Sequence, residues 1–122
     1  MMLIRVMKPE DAPGISALID RVYRKYNDAR VPIALQHIIE PDQILEKSRT
    51  GYLYMVAEVD GQLAGVITMK ERSHLYHLFI DGAYHGRGIA SALWERLLER
   101  LKEDGPLPEI LTVNSSDYAL GF

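Results

Sequence analysis

The sequence predicts an α/β fold of the α+β kind: a mixed, mostly antiparallel sheet with flanking helices and a parallel pair formed by strands four and five. Three observations lead there. Apolar runs at 52–59, 62–70 and 73–80 follow one another, the first two joined by Asp60-Gly61, a strong short signal for a two-residue hairpin turn. Helical stripes lie on either side of this block in the chain. From 73 to 114 the pattern reads strand, helix, strand, and such a crossover joins parallel strands with right-handed connectivity. No repeat, low-complexity tract or linker divides the 122 residues, so a single domain is expected over 1–122.

Each element has its local reason. "MLIRVM" (2–7) is short, apolar and closed by Lys8-Pro9, which predicts a strand. In the next stretch Ile15, Leu18, Ile19, Val22, Tyr23 and Tyr26 recur three and four apart, one face of a helix. Glu10 and Asp11 sit at its start, where the helix dipole favours acidic groups. Residues 28–40 carry no clear period, whereas "EPDQILEKSRTG" predicts a short helix between Pro41 and Gly51. A long helix follows Gly88: Ile89, Ala90, Leu93, Trp94, Leu97, Leu98 and Leu101 share one face, while Glu95, Arg96, Glu99, Arg100 and Lys102 are mostly outward. Gly105, Pro106 and Pro108 stop it, and "EILTVN" (109–114) reads as a buried strand.

Composition narrows the functional classes. Hydrophobic residues at 48% and charged residues at 25% are the balance of a soluble globular protein. A net charge of −3 gives no electrostatic reason to expect a nucleic-acid partner. The chain has no cysteine, which excludes disulfides, thiolate metal sites and a cysteine nucleophile. Its four histidines are scattered without ligand spacing, so no metal site is expected. No apolar run approaches the roughly 18–20 residues that span a bilayer, and the N-terminus lacks the regions of a secretory signal. No membrane association and a cytoplasmic location are the resulting expectations.

The stretch "AYHGRGIASAL" (83–93) carries the chemistry. Glycines at 86 and 88 precede a helix whose first N–H groups lack intrahelical partners, and Arg87 adds a cation. A helix N-terminus carries about +0.5 charge equivalent and is a ready anion site. Taken alone, the glycines equally permit a mere turn. The loop has neither the Gly-Lys-Ser/Thr of a P-loop nor the full spacing of a dinucleotide fold.

In context, "LFIDGAYHGRGIASALWERL" closely resembles the acetyl-CoA-binding stretch of the GCN5-related N-acetyltransferases, with its Arg/Gln-x-x-Gly-x-Gly/Ala motif after a strand. His85-Gly86-Arg87-Gly88-Ile89-Ala90 occupy the six positions. His85 departs from the usual Arg or Gln at the first of them, while Gly88 and Ala90 fit. "LTVNSSDYALGF" (111–122) resembles the family's following strand and helix start, so the likeness runs along nearly the whole chain.

The resemblance implies an acyl-CoA N-acyltransferase-like fold and an enzyme that moves an acetyl group from acetyl-CoA to a primary amine of unidentified acceptor. The alternative is a catalytically impaired acyl-CoA-binding or regulatory module. By the same resemblance, His85, Gly86, Arg87, Gly88, Ile89, Ala90 and Ser91 belong to the pyrophosphate cradle. The backbones of Leu78, Phe79 and Ile80 would meet the pantetheine arm, one of their N–H groups serving the oxyanion. Asn114 would face the same arm, or cap the next helix; the two roles are compatible.

Transfer to an amine needs a base, because an alkyl ammonium has a pKa near about 10. His74 and His77 are the candidates. Three apart, they should point to opposite faces of a regular strand, and His74 lies near a position where relatives carry a catalytic Glu. In the family a Tyr after the last helix start serves as acid. This sequence ends at Phe122, just short of that position, and Tyr118 would face a different direction. The chain therefore reads as truncated relative to the family, without its usual last strands. The apolar strand at Ile110, Leu111 and Val113 would then be an exposed edge, and a homo-oligomer through the C-terminal region is expected.

Overall fold

The three alternating runs form consecutive antiparallel strands: β2 (Tyr52–Val59), β3 (Gln62–Lys70) and β4 (His74–Ile80). The computed structural model that shows this describes residues 1–27, 32–109 and 112–113. Asp60 and Gly61 both take positive φ, 52° and 83°, as a two-residue hairpin turn requires. β1 (Met2–Val6) lies antiparallel beside β2, and β5 (Thr112–Val113) parallel beside β4, so the order is β1-β2-β3-β4-β5. Asn114, Ile110 and Leu111, on which the second pantetheine contact and the exposed edge depended, lie outside the described residues, as does Tyr118.

Helices cover both faces of the sheet. On one face, α1 (Ala12–Asn27), α2 (Ile33–Ile38) and α3 (Pro41–Ser48) pack on Tyr54, Val56, Val66 and Phe79 through Ile15, Leu18, Ile19, Val22, Leu35 and Ile44. On the other, α4 (Ile89–Glu103) seats Ile89, Leu93, Leu97 and Leu101 on Met55, Ile67, Met69, Leu75 and Leu78. The predicted first helix begins as a 3-10 turn at Pro9–Asp11 before α1. Residues 33–38, which showed no period, form α2 with Leu35 as its one buried residue. A helix of six residues is too short to display a stripe.

Two devices set α4 against the sheet. At Gly65 an added Cβ would lie 2.8 Å from Ile80 Cδ1 and 3.2 Å from both Ile89 and Leu93, so the missing side chain lets the helix approach closely. At the far end, Arg72 donates to the Leu101 carbonyl at 3.1 Å and the Pro106 carbonyl at 2.9 Å. It thereby adds a second donor to the Leu101 carbonyl, which also accepts from the Asp104 N–H at 3.1 Å, and ties the helix end to the chain that follows.

The register of β4 changes one sequence expectation. Thr68 faces His77, but Met69 faces Leu75 and Lys70 faces His74. One strand therefore has an extra residue, Tyr76, and the ladder bulges. The inserted residue resets the alternation, so His74 and His77, three apart, share one face instead of pointing to opposite faces. It is the face covered by α1 to α3, since Thr68 and Lys70 alternate with Met69, which packs under α4.

Candidate functional site

The outer edge of β4 is where the site begins. β5 pairs only with His74 and Leu75, with Thr112 N–H bonded to the Ser73 carbonyl at 2.8 Å. Among the described residues, nothing pairs with the remaining outer edge of β4. Asp81 N–H donates to the Ala64 carbonyl of β3 at 2.8 Å. Antiparallel backbones alternate sides residue by residue, so Phe79 also turns toward β3, while Leu78 and Ile80 present their N–H and C=O groups outward. Phe79 carries its side chain into the core instead.

β4 runs into the glycine loop. Asp81 accepts from Ala83 N–H at 3.0 Å and so shapes the 3-10 turn Gly82–Tyr84. The same carboxylate binds the Arg21 guanidinium of α1 at 2.9 Å. Burial by itself would raise the Asp81 carboxyl, but the Ala83 N–H and Arg21 outweigh it and hold it below the usual carboxylate range. Gly86 and Gly88 follow with φ of 81° and 73°, and a Cβ at either would meet nothing within 4 Å. Glycine is required there by the left-handed backbone and not by crowding from the rest of the chain.

Gly88 is the N-cap of α4, and no side chain caps that end. The first intrahelical bond runs from Ala92 N–H to the Gly88 carbonyl at 3.0 Å. Ile89, Ala90 and Ser91 thus supply the first-turn N–H groups that have no carbonyl one turn earlier in the helix. Arg87 is exposed beside them, its guanidinium 5.4 Å from the Tyr84 ring centre. His85 and Ser91 are exposed as well, while Ile89 is buried as an anchor of the helix. The six motif positions and Ser91 therefore lie around one helix start, reached directly from the outward edge at Leu78 and Ile80.

The two histidines differ in setting. His74 is half-buried, and its Nδ1 lies 2.7 Å from the Thr112 hydroxyl, at the place where β4 and β5 are joined. If Thr112 accepts from Nδ1–H, the lone pair sits on Nε2, the arrangement of a base oriented by a second group. His77 is 2% exposed, and burial together with the charge of Lys47 pushes it down to about 3. It is neutral at ordinary pH. Thr68 and Tyr54 continue its cross-strand row, and His77 Nδ1, Thr68 Oγ1 and Tyr54 OH are buried without a hydrogen-bond partner among the described residues. Burial also pushes the Tyr54 phenol above its ordinary range.

Sequence reasoning did not single out Tyr54, Thr68, Thr112 or Arg21. Tyr52 and Tyr54, two apart on β2, share a face, but only strand pairing shows what lies opposite. Among the described residues no group of three His, Asp or Glu side chains is placed to hold a metal ion. None of the described helices is long and apolar enough to cross a membrane.

The described outer edge of β4, open beyond Leu75, thus leads into a helix start that no described side chain caps. The family model for the acetyltransferase (GNAT) domain matches residues 22–122. The chain belongs to this family, and with it to the N-acetyltransferases. It is 29% identical to acetyltransferase ECA0875 of Pectobacterium atrosepticum, over 99% of this chain and 83% of that protein. Among solved structures it resembles the PaiA N-acetyltransferase of Thermoplasma acidophilum in complex with coenzyme A, with a TM-score of 0.73, 16% identity, and coverage of 85% of this chain and 74% of that one. A GCN5-related N-acetyltransferase from Rhodopseudomonas palustris matches with a TM-score of 0.71 and 24% identity, over 95% and 74% of the two chains. At these identities the structural likeness speaks for the fold.

Proposed function

We propose that this protein transfers the acetyl group of acetyl-CoA to a primary amine, with the glycine loop and the start of α4 holding the coenzyme. The observation that carries this reading is the continuity between the outer edge of β4, unpaired beyond Leu75 among the described residues, and the N-terminus of α4, which no described side chain caps. An extended amide-bearing arm can add to the edge at Leu78 and Ile80 as a strand would. A pyrophosphate at its end then meets the N–H groups of Gly86 to Ser91, the positive end of the helix dipole and Arg87. The family's solved member in complex with coenzyme A supports the choice of ligand.

In the reaction, the lone pair of a neutral amine attacks the thioester carbonyl carbon. The C–N bond forms, the C–S bond breaks, one N–H proton passes to a base and the departing thiolate takes up a proton. His74 is the base in this reading, with Thr112 fixing its ring, because His77 is too strongly depressed by burial to hold a proton near neutrality. An outward N–H of Leu78 or Ile80 donates to the carbonyl oxygen as it gains charge. Residue 114 would flank the same arm. Self-association through the apolar C-terminal segment and a cytoplasmic location belong to the same reading, and sedimentation over a concentration series tests the first.

Calorimetry with acetyl-CoA is the direct test of the cradle. Arg87→Glu places a negative charge beside the expected pyrophosphate and should weaken binding by about tenfold or more. Unchanged affinity would remove Arg87 from the cradle, and an absence of binding by the unaltered protein would remove the function. Thiol release over a panel of amines then reads turnover.

A further inference from the structure

Beside His74 the sheet carries a second feature, apart from the groups proposed to hold the coenzyme. Tyr52, Lys70, His74 and Thr112 are successive cross-strand partners on β2, β3, β4 and β5. Lys70 is therefore the direct neighbour of the base, on the same face. From α3, Lys47 reaches the same place: its Nζ and that of Lys70 each lie 5.9 Å from the centre of the Tyr52 ring. Tyr76, the bulged residue, packs edge-on against Tyr52 at 5.2 Å between ring centres. Tyr52, Lys70, His74, Tyr76 and Lys47 are all half-buried, and so within reach of a ligand.

Among the described residues Lys47 meets only the Gln43 amide at 3.5 Å, beside the tyrosine, and neither lysine forms an ion pair with a carboxylate. Glu40 lines the adjoining cleft with Lys47 but lies 3.4 Å from His37 Nδ1. One row deeper on this face, His77 Nδ1, Thr68 Oγ1 and Tyr54 OH are buried without hydrogen-bond partners among the described residues. Burying a polar group without a partner is costly, so a row of three is out of the ordinary for a closed core. His74 thus stands at the junction of a cationic rim and a neutral hydrogen-bonding floor, and among the described residues no carboxylate pairs with either rim lysine, Glu40 facing His37 in the adjoining cleft.

We infer that the acceptor amine also carries an anionic group, a carboxylate or a phosphate, which Lys47 and Lys70 bind while the amine is presented to His74. This rests on the proposed acetyl transfer and selects among its acceptors: an amino acid or similar zwitterion fits, whereas polyamines and aminoglycoside-like polycations meet two unpaired positive charges. Desolvation beside Tyr52 strengthens the pairing relative to a fully exposed ion pair.

The test compares matched acceptors that differ only in the anion: leucine against 3-methylbutylamine, and phosphoethanolamine against ethanolamine, with spermidine as the polycation. The ratio of kcat/KM within a pair is measured for the unaltered protein, Lys47→Gln, Lys70→Gln and the double variant, which cancels the intrinsic nucleophilicity of each amine. Each single substitution should lower the ratio about fivefold, through KM, and the double substitution by more than tenfold. Whichever pair responds identifies the anion as carboxylate or phosphate. Calorimetry with coenzyme A on the same samples shows that the variants remain folded and loaded. NMR titration of each acceptor into the coenzyme A complex reads the same ratio without turnover. Loss of coenzyme binding by the unaltered protein refutes the transferase reading and this inference with it. Normal coenzyme binding with ratios unchanged in the double variant, or with spermidine preferred, overturns the inference alone.

Discussion

Replacing His77 by Gln should change how stability depends on pH, by an amount that follows from burial. His77 is buried and held near 3 by the loss of solvation and the charge of Lys47, whereas a histidine in the unfolded chain titrates at about 6.5. At pH 5 the unfolded chain therefore binds a proton that the folded protein refuses. The folded pKa is depressed, so the contribution of the group is fully present above about 6.5 and is lost as pH falls toward 3. Between pH 7 and pH 5 this single group removes about 2 kcal/mol of stability. Any folded-state value below about 4 gives the same figure, because the native ring is neutral at pH 5 in either case. Urea unfolding at pH 7, 6 and 5 measures it. The unaltered protein should lose about 2 kcal/mol more over this range than His77→Gln does. Carboxylates common to both proteins, such as Asp11 in its pair with Arg5, cancel in the difference. Parallel pH profiles would mean that His77 takes up a proton in the native state, and the account of the closed inner row would then be wrong.

Two further substitutions test the site and its support. His74→Gln should lower kcat by about 10²- to 10⁴-fold and abolish the acidic limb of the pH–rate profile, where protonation of the base shuts the reaction down. Its affinity for acetyl-CoA by calorimetry should be unaltered, and an unchanged kcat would exclude His74. Gly65→Ala puts a methyl group 2.8 Å from Ile80 Cδ1 and 3.2 Å from Ile89 and Leu93, which should cost about 1–3 kcal/mol by overpacking. Urea unfolding reads that loss; stability at or above that of the unaltered protein would show that α4 moves away freely.

Much of the fold was legible because it is encoded in short windows. The Asp60-Gly61 turn follows from two residues that tolerate positive φ, the faces of α1 and α4 from apolar residues three and four apart, and the coenzyme loop from glycines placed ahead of a helical stripe. α2 escaped notice because its six residues bury only Leu35. The histidines were misplaced for a different reason. Their spacing was read against a regular strand, whereas the extra residue at Tyr76 becomes visible only when β3 supplies the partners.

By itself, then, the amino-acid sequence determined the element types, the hairpin, the glycine loop and the family likeness, all of which depend on neighbours within a few turns or residues. Tertiary structure decided which backbone groups of β4 face outward, that His74 and His77 share a face, and that Lys70 and Lys47 meet beside His74. These depend on strand register and on helices packing across the sheet. Residues distant in sequence are brought together there by pairing and burial, which leave no periodic trace in any one segment.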